Sequence, residues 1–336
     1  MGYFKFAAAA FVLSASVVLP SIATSASLTE PSVTHANTMR TSDAALVRRL
    51  PGFSNGYADV NGVRLHYVIG GKGYPLVLLS GWPQTWWSYH KIMPELATDH
   101  RVIVVDIRGQ GGSSKPASGY DKKTMAADIL ALVHQLGFSK VDIAGHDIGA
   151  MVAYSYAANY PEYTRRLALL DVPHPFEAFE KISVIPQPGD YELSNPNHGL
   201  HPWWFAFNQV PGLPEKLLAG RTGILLDWMY DYLNRTPGAI SVFDRAVYKA
   251  AAAEPGAIRA ENGWYQTFAQ DIADLKTYGK LQVPVLGIGG ISYPYLKLFL
   301  DEYTINPQLV QFNGAGHWIA EERPTETIDA LMHFFQ

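Results

Sequence analysis

The stretch Val141-Asp-Ile-Ala-Gly-His-Asp-Ile-Gly-Ala150 runs a mostly apolar segment, Val141–Ala144, straight into a turn where Gly145 and Gly149 flank Asp147. A helix-compatible segment follows to about Asn159. Small residues around one central side chain, between strand and helix, spell the sharp turn called a nucleophile elbow. Serine is the commonest central residue; here it is Asp147. Glycines at 145 and 149 permit close backbone packing. Amide N–H groups at the start of the helix favour an ionised carboxylate. Such an aspartate can attack a saturated carbon without a base to activate it.

Outward from the elbow, short apolar runs bounded by turn residues recur at Leu76–Leu79, Val102–Val105, Leu167–Leu170, Val285–Ile288 and Leu309–Phe312. Runs of that length suit strands buried on both faces of a mainly parallel sheet. Tyr57–Val60 and Arg64–Gly70 read as more exposed strands before them. Met125–Leu136 places Met125, Ile129, Leu132, Val133 and Leu136 on one helical face. The alternation predicts an α/β, doubly wound sheet. Between Leu170 and Val285 the rhythm breaks into an aromatic- and proline-rich region, helical at Leu225–Leu233 and Ala239–Ala252. This predicts a helical cap, residues 172–270, inserted between core segments 51–171 and 271–336. Open α/β sheets bind ligands at the carboxyl edge, where such a cap would roof a pocket.

The 336 residues, 48% hydrophobic and 17% charged, support a sizeable core and argue against a disordered chain. With 26 basic residues against 30 acidic ones, nothing electrostatic points to nucleic acid. The absence of cysteine excludes disulfides, thiolate metal sites and a cysteine nucleophile. At the N-terminus a single cation, Lys5, precedes an apolar run, Ala7–Leu19, then Pro20 and small residues through Ala26. That order reads as a secretory signal, residues 1–26, cleaved near Ser25 or Ala26. The run is shorter than the ~20 apolar residues of a membrane span; a retained anchoring helix is the alternative. Residues 27–50 read as a leader or linker. The expectation is a secreted or periplasmic protein with no membrane contact after cleavage, its oligomeric state left open.

Five stretches together carry a resemblance: Asn61-Gly-Val-Arg-Leu-His-Tyr67, Ser80-Gly-Trp-Pro-Gln84, Asp106-Ile-Arg-Gly-Gln-Gly-Gly-Ser113, the elbow, and Gly314-Ala-Gly-His-Trp318. From about Gly52 onward the chain resembles the α/β-hydrolase family, in its aspartate-nucleophile branch. Among subgroups it is most similar to secreted Cif-type epoxide hydrolases and also resembles haloacetate dehalogenases. The resemblance implies a mostly parallel eight-stranded sheet flanked by helices, with the cap inserted, and no metal or organic cofactor.

It also implies site residues. His317, in a glycine-rich loop after the last strand, matches the family's catalytic histidine; its task would be to activate water. His146 reads as structural, and His134 and His333 as ordinary helix residues. His198 and His201 lack the carboxylates that would make a metal site. The histidine needs a carboxylate to fix its tautomer. Gly287-Ile-Gly-Gly-Ile-Ser-Tyr-Pro294 after the seventh strand offers none, so Asp171 at the end of the sixth is the choice; a turn-capping Asp171 is the bland alternative. The backbone N–H groups of Trp82 and Ile148 would bind the oxyanion. Ser80 stands where the family usually has a histidine, which leaves those donors but removes support for their loop. From the cap, Tyr265 matches the family's proton-donating tyrosine, while Trp204 replaces its histidine partner. Indole N–H donates a hydrogen bond but does not give up its proton.

Haloacetate enzymes carry arginines where this chain has Ile148 and Met151, and haloalkane enzymes usually carry tryptophan at the first of these. An apolar wall favours a neutral, hydrophobic substrate. The reading is therefore an epoxide hydrolase forming a covalent ester on Asp147, its partner a small-molecule epoxide. The alternative is an organohalide and hydrolytic dehalogenation by the same residues. The departures at Ser80 and Trp204 leave a third alternative, a non-catalytic ligand-binding relative.

Overall fold

The computed structural model describes residues 41–183, 185–195 and 198–336. The expected signal segment lies outside the described residues. Eight strands among those described form one sheet: β1 (Phe53–Val60), β2 (Val63–Gly70), β3 (Tyr74–Leu79), β4 (His100–Asp106), β5 (Val141–His146), β6 (Thr164–Leu170), β7 (Val285–Gly289) and β8 (Gln308–Gln311). Their order is β1-β2-β4-β3-β5-β6-β7-β8. The hairpin β1–β2 is antiparallel, as is the pairing of β2 with β4; every later pairing is parallel. The apolar runs read as core strands fall in these strands, with Phe312 alone just past the end of β8. In β5 and β7 every residue is buried, as expected for strands covered on both faces. Strand β8, at the edge, keeps Gln308 and Gln311 exposed, which discourages pairing with another chain.

The helices of the first core segment are α1 (Asp43–Val47), α2 (Met93–Leu96), α3 (Lys122–Gln135) and α4 (Ile148–Asn159). The cap, between β6 and β7, holds α5 (Trp203–Gln209), α6 (Leu213–Leu218), α7 (Thr222–Leu233), α8 (Val242–Ala252), α9 (Ala257–Gln266) and α10 (Phe268–Leu275). The chain ends with α11 (Tyr293–Tyr303), α12 (Ile319–Glu322) and α13 (Pro324–Phe335). Helix α4 is buried from Ile148 through Ala157, so it is apolar all round rather than amphipathic.

Two boundaries differ from the sequence reading: α10 carries the cap past residue 270 to Leu275, and the folded core begins before residue 51. Within the stretch taken as leader or linker, α1 forms, Leu46 and Leu50 are buried, and Trp86 Nε1 donates to Asp43 Oδ1 at 2.8 Å. One buried leucine in a five-residue helix, with a second just beyond its end, is too little to show a period.

Cap and core are joined by buried polar contacts. Lys122, fully buried at the start of α3, donates to the Trp264 carbonyl at 2.6 Å and to Asp271 Oδ2 at 2.8 Å. Its backbone N–H donates to the other carboxylate oxygen of Asp271 at 2.8 Å. Trp264 Nε1 returns a bond to the Arg108 carbonyl at 2.9 Å, and Tyr230 Oη one to the Pro83 carbonyl at 2.9 Å. Removing one partner of a buried ion pair strands the other charge. Lys122→Met should therefore destabilise the protein by about 3–5 kcal/mol in urea unfolding, and the double change Lys122→Met, Asp271→Leu should recover most of that loss.

Candidate active site

Asp147 sits at the junction of β5 and α4 with φ 54° and ψ −127°. A positive φ at a residue bearing a Cβ costs about 1–3 kcal/mol and persists only where its surroundings enforce it. Those surroundings are backbone. A Cβ on Gly149 would lie 2.1 Å from the Leu79 carbonyl oxygen, and one on Gly81 would lie 2.4 Å from the Ile148 nitrogen. The loop after β3 is thus pressed onto the elbow, and it presents the Trp82 N–H to Asp147 Oδ1 at 2.7 Å. The Ile148 N–H also stabilises the carboxylate. Burial pushes the Asp147 pKa up, and it outweighs the lowering by His317, Ile148 and Trp82. The helix-start amides favour the ionised form, as the sequence suggests, but the net direction is upward because burial is the larger influence.

His317, in the loop between β8 and α12, has Nδ1 2.7 Å from Asp171 Oδ2. Its Nε2 faces Asp147 Oδ2 at 3.7 Å, too far for a direct hydrogen bond. Asp171 itself adopts φ 65° at the end of β6 and accepts from the Gly290 and Ser292 N–H groups at 2.8 and 3.2 Å. The loop after β7 therefore supports the acid without supplying it. His146 donates from Nε2 to the His317 carbonyl at 2.8 Å, in keeping with a structural role, and the His317 N–H donates to the Leu233 carbonyl of the cap at 2.8 Å. Burial lowers the His317 pKa, but the hydrogen bond and charge of Asp171, with the charge of Asp147, more than offset it; the net shift is upward from 6.5.

A cavity enclosing about 570 Å3 of empty space, part of it open to solvent, lies over these groups. Val172, Phe179, Leu200, Trp204 and Phe205 form much of its wall with Trp82. Among the described residues, Asp147 and His317 are the lining side chains that can carry charge at neutral pH. Trp204 lines the cavity. Tyr265 does not: it is buried behind the wall, edge-on to Trp82 with ring centroids 5.9 Å apart and 5.7 Å from the Phe205 ring. Burial, with the charges of Asp147 and Glu261, drives its pKa well above 10; Asn208 and Trp204 beside the hydroxyl oppose this, though neither forms a well-made hydrogen bond with it. Ile148 and Met151 are buried and line no part of this cavity.

The sequence reading missed several contributors. The Ser80 hydroxyl, where support for the loop was in question, has no hydrogen-bond partner among the described residues. Gln110 holds the loop instead, donating from Nε2 to the Gly81 and Gln84 carbonyls at 3.1 and 3.0 Å. Gln110 lies inside the Asp106–Ser113 motif, so the signal was at hand. Tyr295 and Ser292 reach the cavity from the start of α11, for which nothing local in the sequence speaks. His201 pairs with Asp190 at 2.6 Å. Asp43, His66 and Asp106 approach one another closely enough to consider a cation. Both His66 ring nitrogens are already engaged, by Asp106 at 2.7 Å and Asn55 at 2.9 Å, so the cluster reads as structural.

Comparison with known proteins matches these features. Residues 74–195 fit the family model described as alpha/beta hydrolase fold. A soluble epoxide hydrolase of Corynebacterium sp. (strain C12) is 36% identical over 283 residues, covering 83% of this chain and 96% of that protein. A fluoroacetate dehalogenase of Burkholderia sp. is 27% identical, covering 82% and 94% respectively. The crystal structure of the Cif epoxide hydrolase from Acinetobacter nosocomialis shares the fold, with TM-score 0.78, 21% identity and coverage of 85% of this chain and 90% of that one. The sheet order, the inserted cap and the extent of these matches establish that the chain belongs to the α/β-hydrolase fold family, as an epoxide hydrolase-like hydrolase.

Proposed function

We propose that the protein opens a neutral, hydrophobic epoxide to a vicinal diol through an ester formed on Asp147. The observation that carries the reading is a carboxylate with one oxygen engaged by backbone N–H and the other free toward a histidine, at the floor of an otherwise apolar cavity. Asp147 Oδ2 attacks an oxirane carbon, the carbon–oxygen bond breaks, and the departing oxygen takes a proton from Tyr265, which moves toward the cavity for this step. His317 Nε2 then removes a proton from water, which attacks the ester carbonyl carbon. The charge that develops falls on Oδ1, already paired with the Trp82 N–H, while the Ile148 N–H also stabilises the group. Collapse returns the proton from His317 to the leaving diol oxygen, while Asp171 holds the imidazole's orientation and tautomer; the proton left on the regenerated Asp147 carboxyl passes to the Tyr265 phenolate as product leaves, which restores both groups. No step calls for a metal or an organic cofactor.

Among the described residues no lysine or arginine lines the cavity, which disfavours a substrate bearing a carboxylate, such as a haloacetate. A second reading, hydrolytic dehalogenation of a neutral organohalide, draws on Trp204 in the wall and Tyr265 behind it, because a halide leaves with hydrogen bonds alone. We also propose export from the cell with removal of the N-terminal signal, which N-terminal sequencing of the mature protein tests.

His317→Gln should accumulate a covalent adduct on the peptide containing Asp147, visible by mass spectrometry, with kcat lowered roughly 10²–10⁴-fold. A single turnover in heavy-oxygen water should leave the label in Asp147; label found only in product would refute the ester. Tyr265→Phe should slow epoxide opening at least ~10-fold more than halide release; equal losses would favour the dehalogenase. Protonated His317 cannot accept a proton from water, so kcat should fall as pH drops through its raised pKa, an acid limb lying above 6.5. Asp171→Asn removes the main upward influence and should move the limb to lower pH as it lowers the rate.

A further inference from the structure

Glu322 ends the short helix α12 that follows His317, and it is buried. Both of its carboxylate oxygens are engaged. Oε1 accepts from the Trp318 N–H at 3.0 Å. Oε2 accepts from the Gly316 N–H at 3.0 Å and from the Arg235 N–H at 2.8 Å. Gly316 and Trp318 flank His317 in the chain, while Arg235 lies just after α7 of the cap. The His317 N–H itself donates to the Leu233 carbonyl of that cap segment at 2.8 Å. The two segments meet too closely for a side chain at Gly316: a Cβ there would lie 2.2 Å from the Leu233 carbonyl oxygen and 2.6 Å from Glu322 Oε1. The backbone N–H groups of residues 316, 317 and 318 are thus all taken up, two of them by one buried acid.

We propose that Glu322 is a positioning residue for His317: by clasping the main chain on both sides of the histidine to the cap, it sets where Nε2 delivers water to the ester on Asp147. Asp171 fixes the ring through Nδ1, and Glu322 fixes the turn that carries the ring. An ionised carboxylate only accepts hydrogen bonds, which suits three N–H donors, and such bonds are stronger than neutral ones. Loosening the turn displaces Nε2, and a shift of about 1 Å at a reacting group costs about 100-fold in rate. Asp147 attacks without help from His317, so ester formation does not depend on the clasp and ester hydrolysis does. That division rests on the ester chemistry proposed above; the clasp itself does not.

Two measurements test this. Glu322→Gln keeps the shape of the side chain but turns an NH2 group toward N–H donors. After mixing with a neutral epoxide, both steps are followed by quenching and mass spectrometry of the peptide containing Asp147. Ester hydrolysis in Glu322→Gln should slow about 10–100-fold, so that adduct accumulates, while ester formation stays within about twofold of the unaltered rate. Equal slowing of both steps, or of neither, overturns the proposal. In protein labelled with ¹⁵N at tryptophan, the Trp318 backbone amide is assigned by its loss in Trp318→Phe. It should resist exchange with deuterium in the unaltered protein and exchange at least ~10-fold faster in Glu322→Gln. An amide that is unprotected in the unaltered protein, or equally protected in both, overturns the proposal. If Glu322→Gln does not fold, Glu322→Asp, charged but one methylene short, takes its place with the same expectations, and the amide of the unaltered protein needs neither variant. A protein whose His317→Gln form gathers no adduct refutes the proposed function instead, and the Trp318 amide then decides the clasp by itself.

Discussion

Everything at the site depends on how closely the loop after β3 is pressed against the turn between β5 and α4. With Gly81 and Gly149 leaving no room for a Cβ, backbone meets backbone, and Asp147 is forced to φ 54°. The same compression brings the Trp82 N–H to hydrogen-bond distance of the carboxylate. Strain and stabilisation therefore have one cause. A side chain at either glycine would relax the strain and remove the donor together. Gln110, anchored in the turn after β4, fastens the loop by two of its carbonyls, so the motif that resembles the family's in sequence is mechanically part of the elbow.

The cap contributes in a different way. Its helices are held on the sheet by buried groups such as Lys122 and Asp271, whose burial would be costly if they were not satisfied by one another. A lysine so placed fixes where α9 and α10 lie over the core, and with them Tyr265 and the aromatic wall. Excluding water from that wall has an electrostatic consequence. Asp147 has its pKa raised by burial, while Asp171 lets His317 move upward against the same influence. The site thus keeps its histidine basic by pairing it with a carboxylate.

The sheet was legible in the sequence because its central strands are buried on both faces and read as unbroken apolar runs. The elbow was legible because its geometry admits so few residue types. Asp171 and His317 were legible through the family resemblance, together with the lack of an acid after β7 and the glycine-rich loop around the histidine; the structure sets the two 2.7 Å apart. What stayed hidden depends on contacts between residues far apart in the chain. Glu261 looks like an ordinary helix acid until the fold buries it. Lys122 looks like a surface cation beside Lys123 until α10 covers it. The retreat of Tyr265 behind Phe205 is a matter of how aromatic rings share space, which no spacing rule encodes. Helix α1 escaped notice because two leucines do not make a pattern.

The position of Asp171 frees another part of the molecule. With the acid on β6, the segment after β7 holds it only through the Gly290 and Ser292 amides, which any sequence able to keep that bend can supply. Its side chains are left for another task, and Ser292 and Tyr295 spend themselves on the cavity wall. Such a division lets one loop drift in sequence, reshaping what is admitted, while the proton-handling pair it cradles stays untouched.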